Sequence, residues 1–197
     1  PRRTVIEHEI DDVKIEIKDL VAKEDYHIIV THDGYLKRIT PRAFQANEEM
    51  KLKDGDLIIA SYEMTSFDTL LLFTNLGNYV FMPVHKIPEV KPKDMGYNIS
   101  TLVTIDAEER IIFTVPVSNF DEERYLLFTT KNGLIKRTLL KNLYAVRYSR
   151  ALIATKIRED DELVSVDISR DGAEEVVVCT KFGYLNRYDA DEVTIMA

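Results

Sequence analysis

Four short apolar runs punctuate this chain, and each leads into the same four-residue turn. Ile28, Ile29 and Val30 precede Thr31-His32-Asp33-Gly34, and Leu70, Leu71, Leu72 and Phe73 precede Thr74-Asn75-Leu76-Gly77. Leu126, Leu127 and Phe128 lead to Thr130-Lys131-Asn132-Gly133, and Val176, Val177 and Val178 to Thr180-Lys181-Phe182-Gly183. The runs are too short for helices, and each ends at a turn signal, so they predict strands. Glycine supplies the positive φ that a tight hairpin demands, and Asp-Gly and Asn-Gly are strong hairpin signals. A second strand follows, mixing apolar and basic residues, as in Tyr35, Leu36, Lys37, Arg38 and Ile39. A third follows an acidic turn: Asp54-Gly55-Asp56, Glu108-Glu109 and Asp160-Asp161-Glu162 each open another apolar stretch.

The four turn glycines, Gly34, Gly77, Gly133 and Gly183, are 43, 56 and 50 residues apart. Repeats of about 40–50 residues with several short strands each predict an all-β, propeller-like array of about four blades, covering 1–197 as a single domain. A β-sandwich with four such hairpins is the competing architecture, but the turn keeps a constant place relative to its apolar run. Helical signals are thin. Ile6, Ile10 and Val13 have helical spacing across residues 4–11, while 13–17 alternates like a strand. Residues 83–92, with Pro83, Pro88 and Pro92, predict an ordered loop between units.

Composition narrows the picture. Hydrophobic residues are 45% and charged residues 30%, which describes a globular chain and not a disordered one. No apolar run has the roughly 18 residues of a membrane span. No signal-peptide core follows Pro1-Arg2-Arg3-Thr4, and the missing initial Met suggests a piece of a longer chain. One cysteine, Cys179, forms no internal disulfide and fits a reducing cytoplasm; its place in an apolar run predicts a buried strand residue.

The net charge of −8 argues against nucleic acid, but the distribution argues otherwise. Residues 131–158 hold eight Lys and Arg and no acid, whereas 159–175 hold eight acids against Arg170. Basic residues recur after the turns: Lys37, Arg38 and Arg42 in the first unit, Lys86, Lys91 and Lys93 in the second, Lys136, Arg137, Lys141, Arg147 and Arg150 in the third, Arg187 in the fourth. Repeated units place equivalent residues on equivalent surfaces. The series reads either as a band tracking duplex phosphates or as lysines and arginines guarding strand edges. Val80-Phe81 breaks the rule in the second unit and predicts a gap in that band.

Catalytic chemistry is missing from the pattern. His8, His27, His32 and His85 lack metal-ligand spacing, no phosphate-binding glycine loop or nucleophile elbow occurs, and the paired aspartates are adjacent in sequence. No metal or cofactor is expected.

The repeated strand, Thr-x-x-Gly and Lys-Arg series resembles the C-terminal domain of the A subunit of bacterial type IIA topoisomerases. Residues 30–38 and 130–138 carry the resemblance most strongly, and Pro1-Arg2-Arg3-Thr4 with 15–25 is similar to the junction leading into that domain. The stretch at 44–53 keeps only Gln45 of the gyrase protein's Gln-Arg-Arg-Gly-Gly-Lys-Gly-like box, with Glu48 and Glu49 among the replacements, so the resemblance is to the topoisomerase IV branch. It implies a β-pinwheel, an open or broken arc of strand-swapped blades, with 1–25 forming the junction and first strand. It implies a non-catalytic domain that binds and bends double-stranded DNA to position it for strand passage. The partners implied are the rest of the A subunit and, through it, the B subunit of an ATP-dependent isomerase. Its catalytic tyrosine would lie outside this chain, and its place would be the cytoplasm, on the bacterial nucleoid, in chromosome segregation. The alternative is a protein-interaction β-propeller of another family, its acidic turns holding a basic partner.

Overall fold

The computed structural model describes residues 21–47, 49–170 and 174–196. The helical spacing of 4–11, the alternation of 13–17 and most of the expected junction fall outside them. Strands β1 (Asp25–Thr31), β2 (Tyr35–Ile39), β3 (Ile58–Thr65), β4 (Thr69–Thr74), β5 (Asn78–Pro83), β6 (Tyr97–Asn98) and β7 (Ile111–Val117) occupy the first half. Strands β8 (Tyr125–Thr130), β9 (Ile135–Leu139), β10 (Leu152–Ile153), β11 (Leu163–Ser169), β12 (Glu175–Cys179) and β13 (Leu185–Asp189) occupy the second.

They form four separate antiparallel sheets, ordered β3-β1-β2-β6, β10-β5-β4-β7, β11-β8-β9 and β12-β13. The sequence units are not the blades. Strand β6 follows the second unit's hairpin yet pairs with β2 of the first sheet, Tyr35 opposite Asn98. In the same way β10 follows the third hairpin and pairs with β5 of the second sheet, Leu152 opposite Tyr79. Each of the first two blades therefore takes its outer strand from the unit after it, as the strand-swapped expectation requires. The third sheet shows the first leg of this exchange: Ile195 bridges Arg137 as Glu89 bridges Arg38.

Blade stacking explains why β4 is a solid apolar run. Leu70 and Leu72 join Ile28, Val30 and Leu36 in one core cluster, while Leu71 and Phe73 join Leu126 and Phe128 in another. A strand covered on both faces has no polar side to alternate with. Each such side chain contributes about 1.5–3 kcal/mol by leaving water. Pro116 lies in β7, an edge strand, where a missing N–H breaks no ladder.

Helical turns cap the second strand of every unit: Pro41–Gln45 in the first, then Val84–Lys86, Leu140–Leu143 and Ala190–Glu192. Each is five residues or fewer, too short for a hydrophobic period to reveal. Thr40 caps the first, with Pro41 in its opening turn. Among the described residues, no helix is long and apolar enough to cross a membrane.

The fourth hairpin corrects one expectation. Cys179 is exposed, not buried. Sheet β12-β13 has two strands, and on its open side Val177 and Leu185 are exposed, as is Tyr184 at the turn.

Candidate functional site

The turn that defines the repeat is built the same way four times. The threonine carbonyl accepts from the glycine N–H at 3.0, 3.1, 2.9 and 3.0 Å in chain order. The threonine hydroxyl oxygen accepts from the N–H four residues on: Tyr35 at 3.0 Å, Asn78 at 3.3 Å, Leu134 at 3.2 Å and Tyr184 at 3.1 Å. A β-bulge sits beside this threonine in each of the first three sheets. It frees the next N–H for the chain opposite: His32 donates to Leu57, Asn75 to Arg110 and Lys131 to Glu162.

One acid of each acidic turn locks this arrangement and faces inward. Asp56 Oδ1 accepts from the Asp33 and Leu57 amides at 2.9 and 2.8 Å, and Asp161 Oδ1 from those of Asn132 and Glu162 at 3.0 and 2.9 Å. The second unit inverts the device: Asn75 Oδ1 accepts from the Arg110 amide at 2.7 Å, and Glu109 accepts from Asn78 Nδ2. Asp56, Glu109 and Asp161 are all buried. Burial acts to raise the Asp161 pKa, but hydrogen bonds from the Thr130 hydroxyl and the Asn132 and Glu162 amides, with Arg158 nearby, hold it below the ordinary aspartate value. These three acids are turn struts, while Asp54, Glu108 and Asp160 in the same turns are exposed. Beside them, donor atoms of His32, Asp33 and Asp56 lie within 4.8 Å of one another. Asp33 is already engaged by Lys53 at 2.7 Å, so protein donors occupy this cluster.

One residue of the Lys-Arg pair is buried in each of the first and third units, and the other is half-buried. Lys37 is fully buried, its ammonium donating to the carbonyls of Lys51 and Pro92, the latter at 3.3 Å. Burial lowers its pKa, and Asp94 partly offsets this. Lys136 is half-buried and donates to the Ala154 carbonyl at 3.1 Å, with its pKa likewise lowered by burial. Arg38 lies over the Tyr26 ring, 4.5 Å from its centre, and Arg137 over Tyr125 at 4.9 Å. Arg137 is buried and donates to the Ala190 carbonyl at 2.8 Å, which belongs to the following unit. Burial corrects the expectation for Lys37 and Arg137: both cations are consumed in joining one unit to the next and are turned away from solvent. The gap in the second unit is corrected with them. Val80 stands where the first blade has the buried Lys37 and Phe81 where the third has the buried Arg137, and Phe81 packs against Phe120, Tyr144 and Tyr148.

The remaining candidates are exposed, and they divide by partner. Lys141 pairs with Asp121 at 2.7 Å and Arg187 with Glu175 at 3.0 Å. Arg42, Lys86, Lys91, Lys93, Arg147 and Arg150 form no ion pair among the described residues. Arg42 and Lys86 lie on the helical turns after the hairpins. The other four lie on the segments that cross from one blade to the next. Lys91 and Lys93 flank Pro92, whose carbonyl also accepts from the Lys51 amide at 3.2 Å. Arg150 bridges Thr104, which donates to the Ser149 carbonyl and accepts from the Ala151 amide. Lys86 and Arg147 meet at an open cleft of about 470 Å3 that also includes Met82, Leu102 and Val103. Of these six sequence-predicted cations without an ion pair, four lie on crossover segments, two on helical turns and none on the strand after the turn. Lys156, also exposed, adds to them and was absent from the sequence-based set. The run Tyr144 to Arg150, aromatic and basic with no acid, was the sequence signal for the cleft's outer wall.

Comparison with known proteins agrees with this fold. The family model described as DNA gyrase C-terminal domain, beta-propeller, matches residues 25–45, 68–118 and 124–170. The A subunit of DNA topoisomerase 4 from Bacillus subtilis (strain 168) is 43% identical over 197 residues, covering 99% of this chain and 24% of that protein. The Staphylococcus aureus protein of the same name is 34% identical over 195 residues, 98% of this chain and 24% of its own length. The chain thus spans about a quarter of these relatives. A crystal structure of the C-terminal domain of DNA topoisomerase IV superposes with a TM-score of 0.84 at 41% identity, over 89% of this chain and 55% of that one. The E. coli ParC C-terminal domain, at 14% identity and a TM-score of 0.73 over 88% of this chain and 68% of that one, shares the fold.

Proposed function

The chain belongs to the DNA gyrase C-terminal domain family of beta-propellers, and from that premise we propose that it is the duplex-binding and duplex-bending domain of a topoisomerase IV A subunit. Its work is to hold a DNA segment against the crossover surface and direct it toward strand passage. Cleavage chemistry and ATP use belong to the rest of the A subunit and to the B subunit, at the bacterial nucleoid.

One observation carries the reading. A chain of net charge −8 keeps six of its cations, Arg42, Lys86, Lys91, Lys93, Arg147 and Arg150, exposed and free of carboxylates, mostly on the segments that join successive blades. Lysines and arginines left unneutralised on repeated elements suit a phosphate backbone, which is held without base-specific reading. Binding by a curved row of such sites bends a duplex, because the additional phosphate interactions offset an elastic cost of about 1–6 kcal/mol. The match to proteins named as the A subunit of topoisomerase 4 supports placing this activity in that enzyme.

Gel-shift titration of linear duplex at several salt concentrations tests the reading. Binding is expected, with a log-log salt slope that shrinks by about 0.9 for each phosphate contact removed by charge reversal. No binding at low salt overturns it.

A further inference from the structure

The cleft between the second and third units is not absorbed by DNA binding. Met82 and Val103 in it are buried at 2% and 6% exposure, and Leu102 is half-buried beside them. Lys86 borders it from the helical turn after β5, and Arg147 from the crossover segment. Val146, next to Arg147, is 80% exposed and leaves an apolar surface uncovered at the same border. A duplex presents phosphate and sugar, with its base edges recessed in the grooves. It meets Lys86 and Arg147 but brings nothing apolar to Leu102, Val146 and Tyr148.

We infer that this cleft docks an acidic peptide segment of a protein partner. One large apolar side chain of the peptide lies against Leu102, Val146 and Tyr148, over a floor of Met82 and Val103, and carboxylates on either side of it meet Lys86 and Arg147. Charge complementarity argues for the acid. No Asp or Glu lines the cleft, and neither cation has an ion-pair partner among the described residues. The apolar lining argues for the anchor, and the volume lies within the range of about 300–1,000 Å3 typical of clefts that enclose ligand groups. An anchor in a pocket ringed by charge pairs is the arrangement by which short peptides gain both affinity and orientation. Lys86 and Arg147 also belong to the proposed phosphate-binding set, so peptide and duplex exclude one another. That competition rests on the DNA reading; the docking does not.

The test is fluorescence anisotropy on the 197-residue chain with three labelled peptides: aspartates and glutamates around one phenylalanine, the same peptide with alanine for phenylalanine, and the same with lysines for the acids. The first should bind, the second about tenfold or more weakly, and the third not at all. Arg147→Glu should weaken the first peptide about tenfold, and Val146→Asp, at an exposed position the fold does not depend on, should do the same. Equal binding of the phenylalanine and alanine peptides overturns the anchor, and undiminished binding by Val146→Asp overturns the location. If Val146→Asp instead weakens duplex binding while no peptide binds, the cleft belongs to DNA and the inference fails. Displacement of bound duplex by the first peptide supports the competition. Peptide binding with no duplex binding at low salt removes the DNA reading and leaves the docking site standing.

Discussion

The guanidinium of Arg38 lies 4.5 Å from the centre of the Tyr26 ring, and Arg137 and Tyr125 repeat the relationship two units further along. The pairing is diagonal across a hairpin: Arg38 stands opposite Ile28 and Arg137 opposite Leu127, each two residues beyond its tyrosine. Arg137→Ala should therefore act on stability. Loss of the ring contact and of the bond to the Ala190 carbonyl should cost about 2–3 kcal/mol, read as a lower urea midpoint. The salt slope of duplex binding by the remaining folded protein should be unchanged.

Charge reversal on the crossovers should do the opposite. Lys86→Glu, Arg147→Glu and Arg150→Glu together should weaken duplex binding and reduce the salt slope by roughly 0.9 per contact, with stability held within about 0.5 kcal/mol of the parent. Arg187→Glu, at a position already paired with Glu175, should leave the slope where it was. Equilibrium titration across a range of salt concentrations checks both.

Threonine at the head of the turn has a measurable role. Thr31→Val removes the acceptor for the Tyr35 amide in a buried turn and should cost about 1–2 kcal/mol. Thr180→Val removes the same bond in an exposed turn, where water replaces it, and should cost under about 0.5 kcal/mol. Chemical denaturation of the two variants side by side separates them.

Gly77 and Gly183 share a left-handed backbone but not their surroundings. A Cβ on Gly77 would sit 2.5 Å from the Thr155 carbonyl oxygen, while one on Gly183 meets nothing within 4 Å. Gly183→Ala should cost only the conformational term of about 1–2 kcal/mol. Gly77→Ala adds a backbone clash where the third unit closes on the second, and should cost at least about 3 kcal/mol. Thermal unfolding checks the difference.

Acid should loosen the turns through Asp161. Its folded pKa is depressed, so its contribution to stability is complete above the unfolded aspartate value and is lost as pH falls through the folded one. Asp161→Asn keeps the oxygen that accepts the two amides but has no such titration. Its acid-unfolding curve should be flatter than the parent's below about pH 4.

The repeat was readable because its chemistry is local. Thr31 and Gly34 close the turn within a few residues of each other, so the four hairpins and the all-β array follow from sequence. The exchange of β6 and β10 was not readable from periodicity, because two residues of β6 reach back across an entire hairpin to find β2; only the family resemblance implied it. Lys37 and Arg137 were misread for a different reason. An alternation of apolar and basic residues looks the same whether a long side chain ends in water or reaches a carbonyl, and the stem of Lys37 is long enough for either. Arg147 and Arg150 were found by charge density alone, and Met82 and Val103, which give the cleft its apolar character, carry no charge to betray it.

Borrowed outer strands impose a timetable on synthesis. Asn98, which closes the first blade and bonds the Asp33 carbonyl, lies 65 residues downstream of it. At about 5–20 residues per second on the ribosome, the edge of β2 waits roughly 3–13 s for its partner. During that interval a finished hairpin with an open ladder stands outside the exit tunnel. The stage most exposed to mispairing is therefore the nascent chain, one unit short of completion.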